Sequence, residues 1–468
     1  MEGYEYYQAA ASTIKIDDIA SDDVNRKILR RLKENDPNFD ELWWVDGGGP
    51  TSRKGYMYYP EGGSDVGWFG HFIGNNTKLR VLTFYSNPFE KAIEQFCRGV
   101  NSNRSIRKIV FSGLDLSGGE IFQWLGPFFE NNNNFSELVV YHCNFGVGSA
   151  RQLSLALRGC NKSLKSVWIS NSQLGGERLV DVIHSLSVHP HLETLALGEM
   201  NVGRNECMMA LTNLLRNTTT NLQELNLYDN SIDDEGVETL VGALANNSRL
   251  RVLNVSHDQN ITVRGCQSIA SLLDNPNSKL EKLMLLGNNV GDEGALIFAN
   301  ALASNNKLKV LDIRVGNSGI TAEGWSSFST VLCDASNVNS TLLSNHTLER
   351  FGEAPSNSLS SLPAEIKSLL TLNKSSEDKK QVAIKKILKY HRHFDMQPFF
   401  EWELKVLPIA VSWFERARSV DSNNVVVIDR HKLEAIYQFI RATPEIFEPA
   451  PVASGKKRKQ VVQLSRNV

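Results

Sequence analysis

Cysteine is scarce in this chain of 468 residues, and nowhere paired by spacing. Cys97, Cys143, Cys160, Cys207, Cys266 and Cys333 are scattered, with no CxxC. That excludes a disulfide scaffold and a zinc ribbon, and it fits a reducing compartment. Net charge is scarce too: 50 basic and 52 acidic residues leave −2. A balance of that kind creates no global field to gather nucleic acid or an anionic membrane. No apolar run approaches the roughly 20 residues of a membrane-spanning helix. The first seven residues are acidic and contain no secretory-type apolar stretch. The chain is therefore expected in the cytoplasm, with Asn217 and Asn260 unglycosylated despite their Asn-x-Thr triplets.

Catalytic constellations are missing as well. The glycine-rich stretch 47–55 ends in Lys54-Gly55, where a phosphate loop needs Gly-Lys-Ser/Thr. His189/His191 and His391/His393 are HxH pairs without further ligands at metal spacing. No serine lies in a GxSxG motif. No catalytic residue, metal site or cofactor is assigned, and no enzyme activity is expected.

What the chain has is a repeat. Leu222-Gln-Glu-Leu225-Asn-Leu227-Tyr-Asp-Asn230-Ser-Ile232 and Leu280-Glu-Lys-Leu283-Met-Leu285-Leu-Gly-Asn288-Asn-Val290 share the frame LxxLxLxxNxΦ, with Φ apolar. The frame starts at Leu79, Ile106, Phe135, Leu164, Leu192, Leu222, Leu250, Leu280 and Leu308, so the period is 27–30 residues. A further copy is expected from Phe39 and a terminal one from Leu348. The LxL alternation predicts a short strand with one buried face. The Asn, Cys or Ser after it (Asn87, Cys143, Ser172, Asn230, Asn288) predicts a side chain that bonds the backbone of the turn; Leu114 and Met200 depart from this.

A helix is expected after each strand, opening at Glu90, Ser117, Gly146, Gly175, Gly203, Asp233, Thr262, Gly291 and Thr321, all but Glu90 favourable N-caps. Twelve residues beyond Φ runs an apolar column from Phe128 to Leu332, and eight beyond it another from Trp124 to Phe328. Stacked repeats bury both columns against the strand leucines, which no repeat manages alone. Helices are about 10 Å wide and strands about 4.8 Å, so the stack should curve with its strands inside.

The period, the helical return and Gly-Ala-Leu-Ala at 242–245 resemble the ribonuclease-inhibitor class of leucine-rich-repeat proteins, which includes Ran GTPase activators. Segments 65–76, 344–348 and 369–373 also resemble a leucine-rich-repeat group common in unicellular algae. The resemblance implies an α/β fold: a right-handed solenoid, or horseshoe, with a concave parallel β-sheet. It also implies a binding habit without naming the partner.

Outside the repeats, residues 1–36 read as an N-terminal helical cap, with Ile19, Val24, Ile28, Leu29 and Leu32 at helical spacing. An F-box is disfavoured because the leading Leu-Pro is absent. The solenoid spans 37–352, with a Gly/Tyr-rich insertion at 46–63 expected to be a mobile loop. Residues 353–361 form a linker, and 362–447 a small helical domain with helices from 363, at 377–391, 398–406, 408–418 and 432–443. Residues 448–468 form a basic tail expected to be disordered. In that tail Lys456, Lys457, Arg458 and Lys459 have the pattern of a nuclear import signal, which would make the nucleus a second destination.

Strand alternation also names the outward residues. Solvent should make them polar, yet Val110, Val139, Tyr141, Trp168, Tyr228 and Met284 lie there. The expected function is a protein-binding scaffold whose concave face engages its partner through Tyr141, Trp168, Glu199, Asn226, Tyr228, Asp229 and His257. The alternative carried by the resemblance is regulation of a small Ran-type GTPase; Ran activators carry acidic tails, whereas this tail is basic. The partner is expected to be another protein, not a membrane or a nucleic acid, and the chain monomeric. The Tyr56–Tyr59 stretch could cover the N-terminal half of that face.

Overall fold

The computed structural model describes residues 4–45, 56–85, 93–118, 120–160, 163–203, 205–313, 319–352, 362–391, 419–420 and 426–427. The predicted helices at 398–406, 408–418 and 432–443 and the basic cluster Lys456, Lys457, Arg458 and Lys459 lie outside these residues.

The frame leucines build one parallel sheet of twelve strands. In chain order these are β1 Glu41–Val45, β2 Met57–Tyr58, β3 Val81–Tyr85, β4 Lys108–Ser112, β5 Glu137–Tyr141 and β6 Ser166–Ser170. They continue as β7 Thr194–Ala196, β8 Glu224–Asn226, β9 Val252–Asn254, β10 Lys282–Met284, β11 Val310–Asp312 and β12 Arg350–Phe351. From β12 back to β3 neighbours follow chain order, then come β1 and β2 at the edge. Register is uniform: Leu195, Leu225, Leu253, Leu283 and Leu311 lie side by side, all buried.

The helical columns pack behind the sheet. Phe128, Leu157, Leu186, Leu214, Leu244, Leu273, Leu302 and Leu332 are all buried. The other column is buried from Leu153 to Phe328, but its first member, Trp124, is half-exposed and Leu125 takes the inward place. The reason is local. Gly126-Pro127 splits the predicted helix into Glu120–Trp124 and Gly126–Asn131, because proline cannot continue the hydrogen-bonding of the preceding turn.

Two sets of side chains stitch successive repeats. Where strands end, Asn230 Oδ1 accepts from the amides of Met200 (2.9 Å) and Val202 (3.1 Å), which is how the departing Met200 turn is satisfied. Its Nδ2 donates to Leu197 O at 2.6 Å. Where helices end, a second set does the same and was not foreseen: Asn103, Asn217, Asn275 and Asn305 each donate to a carbonyl of the preceding repeat, and Asn132 to Ile106 O at the start of its own. His189 takes that role by bonding Leu157 O at 2.8 Å, which makes it a structural member and not half of a metal pair.

Helix starts are capped less by their own residues than expected. Asp233 does cap its helix, accepting from Gly236 N at 2.8 Å, but Gly146 and Thr262 give no side-chain cap. Asp234 instead reaches the next repeat and accepts from Thr262 N (2.8 Å) and Gly265 N (2.9 Å). Asp292 accepts from Thr321 N at 2.7 Å.

Of the insertion at 46–63, residues 46–55 lie outside those described, and the part from Tyr56 on departs from the expected loop. Met57–Tyr58 is a strand pairing parallel with β1. Tyr58 is buried, stacked on Phe69 at 3.9 Å, with its hydroxyl donating to Asp65 Oδ2 at 3.0 Å. Tyr56 stacks on Phe39. Tyr58 and Tyr56 therefore extend the edge of the core. Helix Asp23–Lys33 buries Ile28, Leu29 and Leu32, and its Asn25 accepts from Tyr59 N at 3.0 Å.

The chain divides into two compact units, 1–332 with 345–374, and 333–344 with 375–468. Helix Ala364–Lys374, which the sequence groups with the C-terminal helices, lies in the first unit. Its Asn373 continues the asparagine set by donating to Leu348 O at 2.7 Å. The second unit contains helices Val338–Leu343 and Lys379–Tyr390 and an antiparallel pair, Ser419–Val420 with Val426–Val427. Within it Thr341 Oγ1 lies 2.7 Å from both Asp334 O and His391 Nε2.

Candidate functional site

Strand alternation places the outward residues as predicted in the middle of the sheet. Leu225 and Leu227 are fully buried, while Asn226 and Tyr228 are half-exposed on the opposite face. Tyr141 (42%) and Trp168 (38%) are exposed large hydrophobic residues. They sit on adjacent strands, with Val139 beside Trp168 and Tyr141 beside Ser170. The Trp168 indole N–H is held by Ser166 Oγ at 2.8 Å, and Tyr141 lies 4.0 Å from the His142 ring.

A second aromatic step follows two strands on. The Tyr228 ring leans over Gly198, where a Cβ would come within 3.7 Å of it, and meets the His257 ring at 4.9 Å. His257 in turn lies on Gly287, where a Cβ would be 2.8 Å from its Nδ1. Between the clusters the strand-face positions at and just past β7 are half-exposed Thr194 and buried Ala196 and Gly198. Two aromatic ridges thus flank a low strip of small residues. Not every outward position is open: Thr83, Asn254, Ser256 and Asp312 are buried.

The residues just past the strands share a feature the sequence did not reveal. Gly113, His142, Asn171, Glu199, Asp229, His257 and Gly287 occupy one column, and all have φ between 46° and 75°. Each of their amides from Gly113 to His257 bonds a carbonyl of the next repeat, for example Glu199 N to Tyr228 O at 2.8 Å. Left-handed backbone favours glycine and costs other residues about 1 kcal/mol each. Five of the seven positions nevertheless carry polar side chains. One pair is joined, Asn171 Nδ2 donating to Glu199 Oε2 at 2.5 Å.

The face is acidic at its centre. Burial raises the Tyr228 hydroxyl, and the Asp229 and Glu199 carboxylates raise it further. Behind it lies Asp258, at the asparagine position of its repeat. Its Oδ1 accepts from Asn230 N (2.9 Å) and Ile232 N (2.8 Å), while Oδ2 is buried without a partner. Burial pushes its carboxyl up to about 7. Among the described residues no group of three His, Cys, Asp or Glu could hold a metal ion, and no helix is long and apolar enough to cross a membrane.

Similarity to known proteins follows the same geometry. The Leucine Rich repeat family model matches residues 219–241 and 277–299, two of the strand–helix units described above. The chain is 27% identical over 210 residues to ribonuclease inhibitor of Sus scrofa, covering 45% of each protein. It is 30% identical over 261 residues to NACHT, LRR and PYD domains-containing protein 3 of Bos taurus, covering 49% of this chain and 25% of that one. The chain thus spans a quarter to under half the length of these curated relatives. Among solved structures, an internalin from Listeria monocytogenes aligns at a TM-score of 0.34 and 13% identity, over 67% of this chain and 95% of that one.

Proposed function

We propose that this chain, a leucine-rich-repeat protein of the ribonuclease-inhibitor-like superfamily, is a non-enzymatic scaffold that binds a protein partner on its strand face. The observation that carries the reading is the exposure of Tyr141 and Trp168 on adjacent strands of that face. Exposed aromatics held in place by neighbours supply contact area at small entropic cost. Glu199 and Asp229 beside Tyr228 add negative charge, so the partner surface that fits best is basic with apolar side chains between its cations. Asn226 and His257 frame that acidic step.

The test is co-purification with the wild-type chain, followed by direct binding of whatever protein is recovered. Trp168→Ala and Tyr228→Ala should each weaken the partner by more than about 1 kcal/mol. Binding unchanged in both variants would discard the strand face as the site. Recovery of a Ran-type GTPase, with hydrolysis stimulated by the chain, would replace the scaffold by the GTPase-regulator alternative.

A further inference from the structure

Where the first helices return to the strands, the sheet edge holds a cavity of about 440 Å³. Three guanidinium groups line it, those of Arg80, Arg104 and Arg107, and no carboxylate; the rest of its wall is Asn, Ser, Thr and Gly.

The local fold builds this wall. Asn103, fully buried, donates to Ile73 O (2.7 Å) and Asn76 O (2.8 Å) and so ties the two return loops together. Ser105 Oγ donates to Asn76 O and Leu79 O, both at 2.9 Å. Arg80 bonds the carbonyls of Thr77, Leu79 and Ser105 through Nη1 alone. Arg104 bonds those of Asn101 (2.7 Å) and Asn103 (2.9 Å), again through Nη1. Both stems are therefore held while the other nitrogens of each fork have no acceptor among the described residues. The Arg107 side chain has no hydrogen bond or ion pair among them.

A second observation comes from register. The residue just before each strand from β3 to β11 forms a column linked by backbone N–H···O=C bonds of 2.7–2.9 Å: Arg80, Arg107, Ser136, Lys165, Glu193, Gln223, Arg251, Glu281 and Lys309. Three neighbouring pairs in it join opposite charges. Lys165 pairs with Glu193 at 3.6 Å, and Glu281 pairs with Arg251 and, at 3.2 Å, with Lys309. At the cavity two arginines stand next to each other instead, and Asp40, whose carbonyl accepts from Arg80 N, makes no ion pair with Arg80. Like charges on neighbouring strands oppose pairing.

We propose that this cavity binds a small polyphosphorylated molecule, with phosphate oxygens bridging Arg80, Arg104 and Arg107. The planar guanidinium fork matches phosphate oxygens two at a time. Ser102, Thr77 and Asn75 line the same space and bring no negative charge to it. The volume falls in the range of small-molecule sites and exceeds what one phosphate fills. No aromatic ring lines it to stack a base, so a phosphorylated polyol fits better than a nucleotide or single-stranded RNA.

The test is calorimetric titration of the full chain with inositol hexakisphosphate, inorganic pyrophosphate and ATP at fixed ionic strength. The hexakisphosphate should bind most tightly, with ATP no tighter than pyrophosphate. Arg107→Ala should weaken it at least tenfold while leaving circular dichroism and melting temperature unchanged. Arg107→Glu should abolish binding and raise the melting temperature of the unliganded chain, because it sets a carboxylate beside Arg80 in place of a like charge. Arg350→Ala, an exposed arginine on β12 at the far end of the sheet, should change nothing. No binding of any probe at millimolar concentration, or binding by Arg107→Glu equal to wild type, would overturn the proposal. Tightest binding by ATP would overturn the choice of a polyol. Recruitment to phosphoinositide vesicles without binding of the soluble hexakisphosphate would overturn that of a soluble ligand.

Discussion

The first and second halves of the solenoid fill one repeat in two ways. Strands β3 to β6 are five residues long and β7 to β11 only three. In the first half the core is aromatic: Trp44 meets Phe96 at 4.3 Å and Phe84 stacks on Phe111 at 5.1 Å. In the second half it is a leucine column with asparagine at the turns. Two of the shorter strands, β8 and β9, have a local cause. Asn226 Oδ1 accepts from Tyr228 N, and Asn254 Oδ1 from Ser256 N. These side chains take amides that would otherwise extend the ladder, whereas Val110, Val139 and Trp168 at the same register offer no acceptor. Both matches to the family model lie in the second half. A repeat can thus depart far from the regular pattern and keep its fold, provided something large fills the interior.

The difference can be broken most severely from within. Leu225→Asp would leave an unpaired charge at a fully buried position and should cost several kcal/mol, on the order of 4. Phe111→Ala in the aromatic half should cost about 3–5 kcal/mol. Urea unfolding of the two variants measures both, and a stable Leu225→Asp protein would mean the strand register is wrong by one residue.

Asp258 sharpens the comparison through pH. Its folded-state carboxyl titrates near 7, above the roughly 4 of an unfolded aspartate. The folded chain therefore holds a proton that the unfolded chain releases. Its contribution is fully present below about pH 4 and is lost as pH rises to about 7, a loss on the order of 4 kcal/mol. Asp258→Asn should remove this slope, because an amide there can do what Asn230 and Asn288 do in donating to Leu197 O and Val255 O. Melting curves from pH 4 to 8 decide it: a variant no more stable than wild type at pH 8 would refute the assignment.

The smallest effects are expected on the strand face. Asp229 is exposed and left-handed (φ 52°), so Asp229→Gly should change stability by no more than about 1 kcal/mol, towards greater stability. Tyr228→Ala should cost at most about 1 kcal/mol. A clear drop in melting temperature for either would show that the face serves packing more than binding.

Much of the fold was legible because leucine at fixed spacing has one physical meaning. The inward columns, the strand positions and the outward place of Trp168 and Tyr228 all follow from alternation. The rest depended on neighbours in space. Asn254 and Ser256 are outward yet buried among adjacent repeats, which alternation cannot convey. The left-handed column was hidden because only Gly113 and Gly287 carry the residue that announces it. The second asparagine set was written in the sequence at Asn103, Asn132, Asn217, Asn275 and Asn305, but its period went unread. The split at Gly126-Pro127 had a visible signal in the proline. The aromatic insertion misled because tyrosines beside glycines suggest a loop, and only the ring of Phe69 shows that Tyr58 has a place inside.

Both asparagine sets lean the same way. Asn103, Asn230, Asn288 and Asn305 each reach back to a carbonyl of the preceding repeat, so a repeat's backbone is satisfied only once its successor has formed. For a chain emerging from the ribosome this gives assembly a direction. Each newly made unit completes the one before it, and the youngest waits for the next. A pause between repeats exposes one unfinished turn, while the earlier ones are already closed. Pulled from its C-terminal side, the solenoid should peel in the reverse order, each step freeing the carbonyls that the lost asparagine had held.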